Sequence, residues 1–223
     1  FTFMRKVLLV AAGCLCSFFG VLGQDTDYAL GIKLAPTINS SRVLLDDPNV
    51  LIDGDGSAMK FTVGLVFDKF LSDSYILSTG LIYMPKQINI GILADPADPT
   101  LNAAESYKLQ YLQIPATLKL FTNEVKPDAR IFFQLGMALE VKLYEEVEIG
   151  LDQQEVIDAF QPFNIPVILG TGVEYRAGVN TVLFGGISYQ RGLTNVVKDT
   201  NRAFADELSI KTTVLSIDLG VKF

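Results

Sequence analysis

Eight charged residues recur at alternate positions in stretches that are otherwise small or polar on that parity: Lys33, Asp68, Lys119, Glu140, Glu174, Arg176, Asp218 and Lys222. Carboxylates such as Glu174 and Asp218, if brought together, are groups that general acid/base chemistry uses, and mixed signs at close quarters also build ion-pair networks. The rest of the composition narrows the choice. The chain has no His and no Trp, and its two cysteines, Cys14 and Cys16, fall within residues 1–23. Ser-His-Asp catalysis, Cys-His catalysis and Cys/His zinc sites therefore lack their groups. Without an evident nucleophile motif, an ion-pair network is the expectation, with no catalytic residue, no cofactor and no resident metal. Asp53-Gly54-Asp55-Gly56 echoes a calcium loop but lacks the third acidic ligand and the distal Glu, so a polar turn is expected there.

Those charges need elements to carry them. From Met4 the chain reads Arg5-Lys6, then an almost wholly apolar run from Val7 to Val21, then Leu22-Gly23-Gln24-Asp25. This is the charged, apolar and small-residue pattern of a secretory signal peptide, so residues 1–23 are expected to be removed and residues 24–223 to form the working domain. Of the 18 basic residues, Arg5 and Lys6 go with the signal, which leaves 16 against 25 acidic ones and a net charge of −9. A cysteine-free acidic domain has no disulfides to form in an oxidising compartment and no basic footprint for nucleic acid.

Beyond the signal, eight segments alternate apolar with small or polar residues, the period of a two-faced strand. They run from Tyr28 to Ala35, Ala58 to Phe70, Ser74 to Pro85, Tyr107 to Phe121, Ala129 to Val147, Phe163 to Arg176, Asn180 to Gln190, and Lys211 to Phe223. The last is the cleanest: Leu215, Ile217, Leu219, Val221 and Phe223 alternate with Ser216, Asp218, Gly220 and Lys222. Connections after the second, fourth and sixth segments are short, and those after the first, third, fifth and seventh are long. Short turns at one end and long loops at the other are the layout of an outer-membrane barrel, with the turns in the periplasm. The acidic groups Asp46-Asp47, Asp95 with Asp98, and Glu145-Glu146 through Glu148, Asp152, Glu155 and Asp158 would then stand outside the cell. Within that stretch, Leu151 to Phe160 is expected to form a short helix.

The apolar faces belong outside. Their opposite faces hold Gly, Ser, Ala and Thr with occasional charges, which suits a crowded interior, and a closed barrel pairs every backbone group without leaving an edge in lipid. Tyr28, Tyr75, Tyr83, Phe121, Phe163, Tyr175, Tyr189 and Phe223 fall near segment ends and are expected to form aromatic girdles. Eight strands leave an interior about wide enough for their own side chains, so the eight inward charges would plug it.

Tyr111-Leu112-Gln113-Ile114-Pro115-Ala116-Thr117-Leu118-Lys119, then Asn164-Ile165-Pro166 with Gly170-Thr171-Gly172-Val173-Glu174-Tyr175, and a last strand ending in Phe223, resemble the PorT-like outer-membrane β-barrel family. The resemblance implies an eight-stranded barrel in the outer membrane of a Gram-negative bacterium, and its founding member is implicated in type IX protein secretion. By likeness to other outer-membrane proteins, the terminal aromatic Phe223 is what the barrel-assembly machinery would read. Pro115 and Pro166 cannot donate to a ladder and lie on the interior parity, so a bulge or a local break is expected beside each.

The sequence thus predicts an all-β, eight-stranded antiparallel up-and-down transmembrane barrel, monomeric and non-enzymatic. Its expected partners are outer-membrane lipid, the barrel-assembly machinery and an envelope or secretion-system protein, with no nucleic acid. A small pore or secretion-channel component is the first alternative, and a soluble periplasmic lipocalin-like binding protein with its apolar faces turned inward is the second.

Overall fold

A computed structural model describes residues 27–44, 51–54, 56–93, 103–149, 157–200 and 209–223. Residues 1–23, where the sequence predicts a signal peptide, and the acidic residues Asp46, Asp47, Asp55, Asp95, Asp98, Asp152 and Glu155 lie outside them.

Eight long strands make the wall: β1 (Tyr28–Leu44), β2 (Ser57–Ser72), β3 (Tyr75–Leu93), β4 (Ala103–Lys126), β5 (Ala129–Ile149), β6 (Pro166–Arg176), β7 (Val182–Gly192) and β8 (Ser209–Lys222). Each pairs antiparallel with its neighbours in sequence, and β8 returns to pair with β1, so the sheet closes with no free edge around the ring. The turn between β4 and β5 shows how the sequence makes a tight reversal. Lys126 pairs with Ala129, Pro127 supplies the fixed φ of the first central position, and Asp128 adopts a positive φ of 63° at the second.

Lipid-facing positions follow the predicted parity. On β8, Leu215, Ile217 and Leu219 are each about half exposed, while Ser216 and Asp218 between them are buried. On β3 the apolar outer stripe runs from Tyr75 through Leu77 and Leu81 to Tyr83, the roughly 9–11 residues that a tilted strand needs to cross. Tyr75, Tyr175 and Phe223 stand exposed at the short-turn end, and Tyr83, Phe163 and Tyr189 toward the loop end. Phe121 departs from the expected girdle: it is buried inside with Ile76 and Phe132. Its parity is that of Lys119, so it had to point inward.

The ladder is interrupted beside both prolines without a change of register. Between β3 and β4, Thr79 pairs with Ala116 and Ile82 with Gln113, and the positions between them, including Pro115, are unpaired. The freed carbonyl of Pro115 accepts a hydrogen bond from Thr79 Oγ1 at 2.7 Å. Beside Pro166, Met137 pairs with Val167 and Glu140 with Asn164, the latter in the two-residue strand Phe163–Asn164. A third break of the same kind falls at Pro36, between the pairs Leu34 with Leu219 and Thr37 with Ser216.

Three strands rise well beyond the apolar band. The upper parts of β3, β4 and β5 form a wall joined by the short strand Leu51–Gly54, which pairs with the end of β3. Asp53 and Gly54 therefore sit in a ladder and not in the polar turn expected of them. Ile157–Phe160 is likewise a strand, paired with Val197–Thr200, where the sequence suggested a helix. The two pieces come from different loops, and the pairing across the barrel mouth outweighs the weak helical spacing of Ile157 and Phe160.

Candidate functional site: the barrel lumen

The inner face of β4 passes through the whole interior. From the loop end it presents Tyr107, Leu109 and Tyr111, then Gln113, then Pro115 and Thr117, then Lys119, and finally Phe121, all of them buried. Each step belongs to a different layer.

The floor, at the short-turn end, is apolar. Ile76, Phe121 and Phe132 are buried against one another with Phe70 packed beside them, and the guanidinium of Arg130 lies 4.7 Å from the Phe121 ring centre. Directly above sits the first charged layer. Lys119 Nζ donates to Asp68 Oδ2 at 2.9 Å, and Lys222 Nζ donates to Asp68 Oδ2 at 2.8 Å and to Glu174 Oε1. The rings of Phe132 and Phe184 flank it, each 5.7 Å from the Lys119 ammonium. Two glycines make room for those rings: a Cβ on Gly172 would strike Phe132, and one on Gly220 would strike Phe184.

Lys33 and Asp218 form a separate pair, with Lys33 Nζ 2.8 Å from Asp218 Oδ1. The second charged layer centres on Glu140, whose side chain is fully buried. Its carboxylate accepts from Lys86 Nζ at 2.7 and 2.8 Å, from Gln113 Nε2 at 2.9 Å and from Asn164 Nδ2 at 2.5 Å. Gln113 Nε2 also donates to Gln190 Oε1 at 2.7 Å, and Lys86 Nζ to Thr212 Oγ1 at 3.3 Å. Every lone pair on Glu140 is thus engaged, as a charge removed from water requires.

The roof is apolar again. Ile88, Ile90, Tyr107, Leu109, Tyr111 and Ile210 from the wall close on Ile157, Phe160, Val196 and Val197 from the loops. Backbone anchors hold the loop pieces down: Ile157 N–H donates to Tyr107 Oη at 3.1 Å, and Lys142 Nζ donates to the Phe160 carbonyl at 2.8 Å.

Seven of the eight charges singled out from the sequence are therefore inside and paired: Lys33, Asp68, Lys119, Glu140, Glu174, Asp218 and Lys222. Arg176 is not among them. It shares their parity but is the last residue of β6, where the wall ends, and it is exposed. Lys86 was missed, because the alternation used to define β3 stops at Pro85, just short of it. Among the described residues, Lys33, Lys86, Lys119 and Lys222 face Asp68, Glu140, Glu174 and Asp218, four charges of each sign. Phe223 lies at the short-turn end, where its N–H donates to the Leu30 carbonyl at 2.8 Å and its side chain is exposed.

Similarity to known proteins agrees with this geometry. A family model described as "Outer membrane protein beta-barrel domain" matches residues 23–198. OprG, an outer membrane protein of Pseudomonas aeruginosa, superposes with a TM-score of 0.56 at 14% identity, over 90% of this chain and 98% of OprG. Neisserial surface protein A aligns over 88% of this chain and 97% of its own, at 15% identity and a TM-score of 0.47. No curated protein matches the chain in sequence. The family match covers most of the chain, and the closed eight-stranded wall accounts for the remaining strand, β8. The chain accordingly belongs to the outer membrane protein beta-barrel domain family and resides in the outer membrane.

Proposed function

We propose that the protein is a non-conducting, non-enzymatic barrel of the outer membrane that works through its surfaces, as a structural, assembly or surface-interaction component. The supporting observation is the filled lumen: two apolar seals and two ion-paired layers lie in series between the loop end and the short-turn end. No ion crosses such a column without displacing packed side chains or a buried ion pair, and each costs several kcal/mol. Planar-bilayer recording of the purified barrel tests this. Baseline current with rare flickers is expected, and a steady single-channel conductance would favour the small-pore alternative.

What the barrel touches follows from the same reading. Lipid meets the apolar belt, the barrel-assembly machinery reads the exposed Phe223 that follows β8, and an envelope or secretion-system protein docks on the loops or turns. The Tyr111 to Lys119 segment and its likeness to PorT support a part in type IX secretion. Extraction in mild detergent followed by identification of co-purifying proteins tests it: recovery of secretion components supports that role, and recovery of unrelated envelope proteins alone removes it.

A further inference from the structure

We propose that a cavity in the middle of the lumen is a binding site for water, holding about three molecules between the two charged layers. The cavity measures about 40 Å³ and is lined by Lys33, Gln113, Lys119, Ser188 and Asp218 together with apolar side chains such as Phe184. A polar cavity needs roughly 10–15 Å³ of such volume for each water, which sets the number.

One of its lining groups lacks a donor, and a second can take one more. Gln113 is fully buried and both its N–H groups are spent, on Glu140 and on Gln190, yet its Oε1 accepts nothing from the protein. Asp218 Oδ1 lies 2.8 Å from Lys33 Nζ but accepts no well-directed hydrogen bond. A buried acceptor left without a donor costs about 1–3 kcal/mol. The occupant must therefore donate hydrogen bonds. A metal cation cannot, and it would also face two ammonium groups, Lys33 and Lys119, with one carboxylate to offset them. A small anion would be repelled by Gln113 Oε1 and by the Asp218 carboxylate. Water donates to Gln113 Oε1 and Asp218 and accepts from the lysines, so it satisfies both kinds of wall at once.

The site joins the layers. Water spanning Gln113, Asp218 and Lys119 links the Glu140 network to the Asp68 cluster through hydrogen bonds where no side chain of the described residues bridges them. The proposal does not depend on the lumen being non-conducting: an open lumen would hold water that exchanges quickly, a sealed one water that tumbles with the barrel.

Water-to-protein NMR on the full-length barrel in nanodiscs, deuterated except at exchangeable sites, tests it. Cross-peaks from water to the Gln113 side-chain amide and to the backbone amides of Ser188 and Gln190 are expected, with the sign of water that tumbles with the protein. Gln113→Leu, checked for folding by its mobility on unheated gels, should lose the cross-peaks at Ser188 and Gln190. Ser188→Val, which pushes an extra methyl into the cavity, should lose them as well and serves if the first variant fails to fold. Absence of the cross-peaks in the wild type, or their persistence in both folded variants, overturns the proposal. A Gln113 amide shift that follows the choice of sodium or potassium, or of chloride or nitrate, would place an ion there and overturn it too.

Discussion

Replacing Glu140 by Gln removes the negative charge paired with Lys86 and changes little in volume. In the native barrel Lys86 is buried, with both carboxylate oxygens of Glu140 within 2.8 Å of its ammonium. The variant keeps a single acceptor oxygen and turns an NH₂ group toward an ammonium, so Lys86 stays buried without a counter-charge. Breaking a buried pair in this way costs about 3–5 kcal/mol, a large part of the 5–15 kcal/mol that holds a typical domain together. Lys86→Met should cost a similar amount, because it strands Glu140. The double variant Lys86→Met/Glu140→Leu should lose less than either single change, since no charge is left behind and the remaining penalty is the lost acceptor for Gln113 and Asn164, about 1 kcal/mol each. The assay is urea unfolding from phospholipid vesicles. The chain has no Trp, so tyrosine fluorescence and far-UV circular dichroism report it, with gel mobility of unheated samples as a second probe. Single variants that lose under about 1 kcal/mol, or a double variant equal to their sum, would show that the layer is wet and that the charges are screened.

Two further outcomes follow from the wall and its end. Ile217 points into lipid between Leu215 and Leu219, so Ile217→Arg should destabilise the barrel by about 2–4 kcal/mol in the same urea assay; a loss near zero would mean that this position lies outside the hydrocarbon. Phe223→Ser should lower the amount of folded barrel in outer membranes while leaving in vitro refolding into detergent little changed, because the side chain is exposed and the backbone bonds to Leu30 are kept; equal losses in both would make its role structural.

The eight strands, their order and their faces were legible because lipid imposes one rule on every outer position, and a two-residue period carries that rule through the wall. The loop-end closure was not. Ile157–Phe160 and Val197–Thr200 are short strands from different loops, each below the length at which alternation can be read, and their partner is fixed only by the barrel mouth that brings them together. Arg176 shows the complementary failure. Parity gives the direction of a side chain but not its depth, so a residue at the rim reads like one in the middle. Phe121 was the reverse case: its aromatic character suggested a girdle, while its parity with Lys119 already pointed inward.

Lys86 was hidden by something more general. Along β3 the outer face reads Tyr75, Leu77, Thr79, Leu81, Tyr83 and then Gln87 and Asn89, while the inner face mixes Ile76, Ser78, Gly80, Ile82, Met84 and Lys86 and then reads only Ile88 and Ile90. Opposite it on β4, outer Ser106, Lys108 and Gln110 stand against inner Tyr107, Leu109 and Tyr111. The strands do not turn over; their surroundings do. Below Tyr83 the outer face meets hydrocarbon, so apolar side chains go out and the polar ones pair across the lumen. Above it the outer face meets water, and Gln87, Asn89 and Ser106 bond to one another there at 2.8–3.0 Å. The inner face can then be apolar throughout and be driven together by the hydrophobic effect, which acts between side chains in water and has no counterpart between side chains in lipid. Lys86 lies where the two regimes meet, one residue past the proline at which the apolar alternation ends. The roof is thus a water-soluble core standing on a membrane barrel, and its stability should respond to urea and temperature as a soluble domain's does, while the Glu140 layer beneath it responds to the loss of a charge.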